Sequence, residues 1–422
     1  LIKQGYKRYD GALVMDGCGD FSLFFRKPDG PSRKKEPNLD SPGDNVMKRE
    51  LKRLSLDAGA AAVGVASADR LGSVPSMDPN YLLPGACSIV SLMLPLDGGL
   101  VRRYLCKDDH DSLERHEVDT YRELYRIGQR VASFLHSNGY RAVVAEPNLD
   151  YRYKDTPEYT KTPPRAKQGI MDWFASESGW LVTRIKKKLF KPLYYRDVAT
   201  TDWNLIPSFS HRYGAVAAGI GTFGWSGNVL HPDHGARVLY NTVITDAPLK
   251  SDPYMKETPC DGCRYCARVC QSGMIHMKEE DSVRIGGRTF THNKKAHNLR
   301  CVIVCGGLSG QSLYKGWSTW SPGRVKVPDT DENIETFWNE FVLANGWKHN
   351  YYAKVLTHLV YHAEHGFIRR DRDRMRTTCG FCQFVCSKTR KERKENYEAI
   401  IESGEVVEGP DFSFRVVKSG NP

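Results

Sequence analysis

Apolar residues in the first third of the chain recur at two spacings, one helical and one extended. From about Asn45 to Ala58, Val46, Leu51 and Leu54 read as one side of a helix that stops at Gly59. AAAVGVASA at 60–68 reads as a short buried strand, and ACSIVSLMLPL at 86–96, introduced by Pro84-Gly85, as a second. Residues 116–137 predict a long helix. Tyr121, Leu124, Tyr125, Val131 and Leu135 recur there largely at steps of three and four, and Asn138-Gly139 closes it. YRAVVAEP at 140–147 returns to an extended pattern. This alternation of helix and strand predicts an α/β fold.

Residues 148–203 break the rhythm with many aromatics, scattered prolines and a lysine run, and read as an insertion that covers a pocket. The pattern resumes at 208, where SHRYGAVAAGIGTFG predicts a small-residue helix entering a glycine-rich turn. ARVLYNTVIT at 236–245 predicts a strand. The expected organisation is an arm rich in Gly, Pro and Asp (1–44), an α/β core (45–257) holding the insertion, a cysteine-bearing region (258–390) and a tail (391–422).

The chain has 422 residues, 40% hydrophobic and 26% charged, enough for a large core and ordinary for a globular protein. No run of eighteen apolar residues occurs, so no membrane-spanning segment is expected. No signal h-region or twin-arginine stretch opens the chain, which points to the cytoplasm; Leu1 is not a natural start and is compatible with a removed leader. The formal net charge of +11 invites a nucleic-acid reading. The basic runs at 33–35, 186–188 and 369–376 are dispersed, and each reads as a solvated face or as a patch that docks an acidic electron donor.

Nine of the twelve cysteines lie at or beyond position 260. Cys260, Cys263, Cys266 and Cys270 are spaced C-x2-C-x2-C-x3-C, the bacterial ferredoxin run in which the fourth cysteine ligates the other 4Fe–4S cluster. Cys379, Cys382 and Cys386 repeat the pattern one cysteine short. Two cubes need an eighth ligand, and Cys301 and Cys305 are the cysteines between the motifs. Structural zinc favours two separated pairs, often with histidine, and a disulfide framework suits such tight spacing poorly. The residues after the fourth cysteines are Gln271 and Ser387, where the ferredoxin run has proline. Cys18, Cys87 and Cys106 stand alone and read as small buried hydrophobes.

A second feature is the segment 219–228, GIGTFGWSGN, with glycines at 219, 221, 224 and 227 that let a backbone approach a large ligand. A helix is predicted before it, where the dinucleotide fingerprint would need a strand, so a nicotinamide site is disfavoured.

Together AAAVGVA, PGACSIVSLMLPL, the helix at 116–137, AVAAGIGTFGWSGN, CDGCRYCARVC, NLRC and CGFCQFVC resemble the cobalamin-dependent iron–sulfur reductases. That group contains the epoxyqueuosine reductases and the reductive dehalogenases, and GTFGWSGN looks most like the soluble, catabolic-type dehalogenases. Gln271 and Ser387 depart from both families, which carry proline there. The resemblance implies a nitroreductase-like α/β core that binds cobalamin base-off, with an appended ferredoxin-like domain holding two 4Fe–4S clusters. The sequence lacks D-x-H-x-x-G, the signature of histidine on cobalt. By the family pattern Cys260, Cys263, Cys266 and Cys386 hold one cube, and Cys270, Cys301, Cys379 and Cys382 the other, with Cys305 as the alternate eighth ligand. The corrin contacts implied are Gly221, Gly224, Trp225, Ser226, Gly227 and Asn228. The loop 306–330 adds Ser309, Trp317, Ser318 and Trp320, its tryptophans walling a substrate cavity or packing as ordinary aromatics.

Reductive dehalogenation needs two electrons and one proton. Tyr121 is the implied donor, with Tyr125 its rival on the same face; a tyrosine with a pKa near 10 needs a positive neighbour to give and recover its proton. Asn204, with Asp202 close by, and Arg237 complete the implied catalytic set. The substrate expected is a small organohalide, aromatic by preference, with no nucleic acid favoured. Electrons would come from an external low-potential ferredoxin or flavodoxin and its reductase. Two other readings remain open, an epoxyqueuosine-type reductase acting on transfer RNA and a pure electron-transfer iron–sulfur protein.

Overall fold

The computed structural model describes residues 6–9, 12–15, 42–145, 207–305, 309–310, 316–323, 326–337, 379–409 and 414–418. The chain divides into two units, Leu1–Glu36 with Arg152–Asp202, and Pro37–Tyr151 with Trp203–Pro422. In the first unit the described element is an antiparallel hairpin of β1 (Tyr6–Tyr9) and β2 (Ala12–Met15), inside the stretch expected to be an arm. The expected insertion at 148–203 lies outside the described residues.

The second unit is built on α1 (Pro42–Asp57), β3 (Ala62–Ser67), β4 (Ser88–Pro95), α2 (Gly98–Leu105), α3 (Asp111–Ser137), β5 (Ala142–Val144) and α4 (His211–Ala217). Two short strands, β6 (Thr222–Phe223) and β7 (Val229–Leu230), and the long β8 (Val238–Thr245) follow. The main sheet has the order β3-β4-β8-β5, and every neighbouring pair is antiparallel. The fold is mixed α/β with small sheets.

The uncharged strands β4 and β8 are central because both their faces are covered. Val90, Leu92, Leu239 and Val243 pack with Leu51 of α1 and with Leu124, Ile127, Val131 and Leu135 of α3. Ile89, Met93, Tyr240 and Ile244 pack into a second cluster with Ala215 and Val216 of α4. In α3 the buried positions advance by three or four residues, the step that keeps one helical face on the sheet. Val46 behaves differently from expectation. It is 43% exposed while Leu51 is fully buried. A five-residue step turns a helix by about 140° beyond a full turn, so the two cannot share a face.

Beyond β8 the chain enters the cysteine region. A four-residue helix, Tyr265–Arg268, is followed by a hairpin of β9 (Ile275–Ile285) and β10 (Arg288–Lys295), turned by Gly286-Gly287 with φ +51° and +84°. Mirror-image hairpin turns need such positive φ, which glycine adopts freely. Asn298–Cys305 is helical, as is Phe381–Phe384. Residues beyond 390, expected to be a tail, instead form a helix, Arg390–Ile401, and a hairpin of β11 (Glu405–Glu408) and β12 (Phe414–Val417). The Thr389 hydroxyl caps that helix, accepting from the Glu392 N–H at 3.2 Å. No helix among the described residues is long and apolar enough to cross a membrane.

Candidate metal centres

The eight thiols gather in two groups of four. Cys266 is buried beside Cys386, Cys260 and Cys263, and its pKa is pushed up to about 12 by burial first and then by those neighbours. Cys386 is pushed up to about 11 by burial, with Cys260 and Cys263 adding to it and Arg393 opposing. In the second group burial raises the Cys382 thiol, and Cys379, Cys270 and Cys301 raise it further. Burial likewise raises Cys270, which feels Cys301 and Cys379. Each group draws on both motifs, because Cys386 joins the first triplet and Cys270 joins Cys379 and Cys382. The side chain of Cys305 lies outside the described residues.

Thiols held this way cannot all ionise unless a cation takes the charge, because each thiolate raises the pKa of the next. Among the described residues the only three or more ligand atoms mutually within 4.8 Å belong to His110, Asp111 and Glu114.

The glycine-rich loop runs between the two groups. The Trp225 N–H points to Cys260 Sγ at 3.3 Å, and Asn228 Nδ2 to Cys382 Sγ at 3.8 Å. The loop is fixed from β10. Asn293 donates to the Trp225 carbonyl through its side chain at 2.6 Å and its backbone N–H at 2.9 Å, and Lys295 Nζ donates to the carbonyl of Ser226. Ser226 Oγ accepts from the Asn228 N–H at 3.2 Å. Gly227 sits at φ +75°, with Lys295 Nζ 3.2 Å from where a Cβ would be. At Gly221 and Gly224 a Cβ would run into Val229 and Leu230 respectively, so their bareness serves the packing of the loop on β7. Gly224, Trp225, Cys260, Cys263, Cys266 and Cys386 line one recess.

A cation stands at each group, buried at the first and partly buried at the second, and the sequence reading missed them. Arg393 is 3% exposed, pairs with Asp261 at 2.8 Å and donates to the carbonyls of Ser387, Lys388 and Pro259. Burial opposes its charge, but Cys386, Asp261, Cys263 and Cys260 outweigh this and raise its pKa. Burial lowers the pKa of Lys295 against the opposing pull of Cys382, Cys270 and Cys301. Lys107, 5% exposed, is lowered to about 7, mainly by burial, and lies 5.9 Å from the Phe381 ring centroid. No local signal marks Lys295, and the charged run around Arg393 reads as a solvated face.

The other expected residues fall as follows. Tyr121 is half-buried on α3 and packs against the core cluster that contains Leu124. Arg237 lies near Cys386 and reaches Glu392 at 3.8 Å. Trp317 is 3% exposed and tilted on Phe381. Trp320 donates to the Tyr104 carbonyl at 3.0 Å, and Ser318 Oγ accepts from the Val406 N–H at 2.8 Å. Ser309 is fully buried. Asn204 and Asp202 lie outside the described residues.

No family model matches the sequence, and no curated protein does. Solved structures similar to the chain include an epoxyqueuosine reductase bound to a modified tRNA-Tyr stem loop, with TM-score 0.34 and 17% identity over 65% of this chain and 59% of that one. A catabolic reductive dehalogenase aligns with TM-score 0.41 and 16% identity over 76% of this chain and 36% of that one. The epoxyqueuosine reductase of Bacillus subtilis aligns with TM-score 0.34 and 14% identity over 86% of this chain and all of that one. The chain thus spans about three fifths of the first structure and about a third of the second.

Proposed function

We propose that this chain is an oxidoreductase that takes electrons singly into two 4Fe–4S clusters and passes them to a cobalamin, and that its reaction is reductive removal of halide from a small aromatic organohalide. The observation that carries the reading is the division of eight thiols into two interleaved groups of four, each drawing on both cysteine motifs. The donor chemistry fits a cube in each: Cys260, Cys263, Cys266 and Cys386 for one, Cys270, Cys301, Cys379 and Cys382 for the other. A bound cube supplies reversible one-electron storage at a potential set by charge, hydrogen bonds and burial. The chain's part is to hold the thiols, donate to Cys260 and Cys382 from the loop 225–228, and place Arg393 and Lys295 where charge accumulates.

The corrin has no comparable donor set among the described residues. Gly221 and Gly224 face Val229 and Leu230, and Ser318 and Trp320 are bonded within the protein. The cobalamin therefore rests on the sequence motifs. Over the whole reaction, R–X with two electrons and one proton gives R–H and halide. An external low-potential ferredoxin or flavodoxin supplies the electrons, and Tyr121 holds the proton.

The test is anaerobic reconstitution with iron, sulfide and cobalamin, followed by halide release from a panel of halogenated phenols with a low-potential donor. Halide release with one base-off cobalamin per chain is expected. Nitrogen superhyperfine splitting in the Co(II) spectrum contradicts the base-off state. Two clusters with no corrin uptake and no halide would make the chain an electron-transfer protein. The net charge of +11 favours one other reading, an epoxyqueuosine-type reductase; reduction of a modified transfer-RNA stem loop without halide release would establish it.

A further inference from the structure

In both cysteine motifs the residue after the last cysteine is a buried polar side chain without a hydrogen-bond partner among the described residues. Gln271 follows Cys270 and is 1% exposed, and neither its Nε2 nor its Oε1 has a partner among the described residues. Ser387 follows Cys386 and is fully buried, and its Oγ is likewise without a partner. Four other residues have such atoms, Ser91, Tyr240, Asn241 and Asn293, and all of them lie on strands. The bacterial ferredoxin run has proline at this position, a residue with no donor to satisfy.

A buried polar group left unpaired is costly, and an apolar residue of similar size would remove the cost. Two equivalent positions carry it, each next to a cysteine of a different group. The backbone around both is held firmly. The Ser387 carbonyl accepts from Arg393 Nε at 2.7 Å, and the Ser272 carbonyl accepts from a buried Arg300 at 3.3 Å. Neither side chain is therefore in a segment that reaches water by a small shift. Each stands one residue from a thiol, Gln271 from Cys270 and Ser387 from Cys386. Sulfurs of a cube accept hydrogen bonds, and they accept them more strongly once an electron has been added.

We propose that Gln271 and Ser387 donate hydrogen bonds to the bound clusters, Ser387 to the cube ligated by Cys386 and Gln271 to the cube ligated by Cys270, and that each raises the reduction potential of its own cube. This rests on the reading that the two cysteine groups hold 4Fe–4S cubes. Donors to cluster sulfur favour the reduced, more negative state, so removing one donor should make its cube harder to reduce and leave the other unchanged.

The experiment is potentiometric titration of the anaerobically reconstituted full chain, followed by electron paramagnetic resonance, for wild type, Ser387→Ala, Ser387→Thr and Gln271→Leu. Iron and sulfide are counted first. Wild-type protein without clusters would overturn the reading of the cysteines and this inference with it. With both clusters present, Ser387→Ala should lower the reduced-to-oxidised ratio of one cluster severalfold at a fixed potential, a tenfold fall being about 59 mV. Gln271→Leu should do the same to the other cluster, while Ser387→Thr, which keeps the hydroxyl, should match wild type. Exchange into deuterium oxide gives a second readout, a deuteron coupling to each reduced cluster that is lost in the matching variant. Two loaded clusters with unshifted potentials, or no such coupling in the wild type, would overturn the inference and leave the cluster reading standing.

Discussion

At the centre of the sheet, Leu92 and Val243 are buried among residues that ask for nothing further. In the cysteine region, Cys266 is buried and Cys382 partly buried among thiols that oppose one another's ionisation. Burying each apolar side chain on the sheet contributes about 1.5–3 kcal/mol, and the interaction is complete within the chain. On the cluster reading the thiols are complete only with a metal, because they must lose protons that burial and their neighbours make them keep. The two regions are nonetheless joined through α2. The Tyr104 hydroxyl donates to the Cys379 carbonyl at 2.6 Å, and Arg102 donates to the Glu395 carbonyl at 2.7 Å. A change in one region can therefore be separated from the other by what it removes, either folded sheet or bound iron.

Removing a ligand should give the largest effect. Cys301→Ala should cut reconstituted iron and sulfide from about eight each to about four, and Cys305→Ala should leave both near eight. The thermal transition of the sheet should survive in either variant. A reversal of the two mutants would place the eighth ligand at Cys305. Tyr121→Phe comes next. It should retain both clusters and cobalt reduction but lose halide release by about a hundred- to ten-thousand-fold. A tyrosine that only packs would lose little turnover and about 1 kcal/mol of stability. Tyr125→Phe, on the same helix, is the control, and a collapse in that variant alone would move the proton donor one turn along.

The sheet itself is probed by Leu124→Ala. Denaturant unfolding should show a loss of about 2–5 kcal/mol, with iron per folded chain unchanged. A parallel loss of iron would show that the two regions do not separate. The smallest effect expected is an acid one. Asp252 ties α1 to β3 by accepting from Lys48 Nζ at 2.8 Å, Lys52 Nζ at 3.0 Å and the Val65 N–H at 2.9 Å. Burial alone would raise its pKa, but these donors together hold it below the ordinary 3.8. Its contribution is thus full above about pH 4 and fades as pH falls through the depressed value. Asp252→Asn should flatten that part of the stability profile, and an unchanged acid slope would remove Asp252 from the account.

Much of the sheet was legible in the sequence. The steps between Leu124, Val131 and Leu135 marked α3, and the largely apolar run at 86–96 marked a strand. The cysteine spacing marked thiols that must converge. The elements between them were less visible for physical reasons. In β9 only Ile275, Val283 and Ile285 are buried, so the alternation that reveals a strand is lost among exposed charges. Gly286-Gly287 was the signal available for that hairpin. The helix 390–401 opens with Thr389 and Glu392 at capping-box spacing, yet its charges hide the burial of Arg393, Asn396, Ala399 and Ile400. Lys295 was illegible because its place depends on where β10 ends relative to a loop seventy residues earlier in the chain.

The interleaving of the two cysteine groups also bears on how this chain can vary. On the cluster reading, Cys301 and Cys379 hold the same cube, and the chain between them is closed at both ends by one metal group. The entropy of closing such a loop grows only logarithmically, by about 0.6 kcal/mol for each doubling of length. Losing one thiol costs a whole cluster. On that reading, length changes between Cys301 and Cys379 that spare the buried Ser309, Trp317, Ser318 and Ile334 should be far better tolerated than a point change at either end.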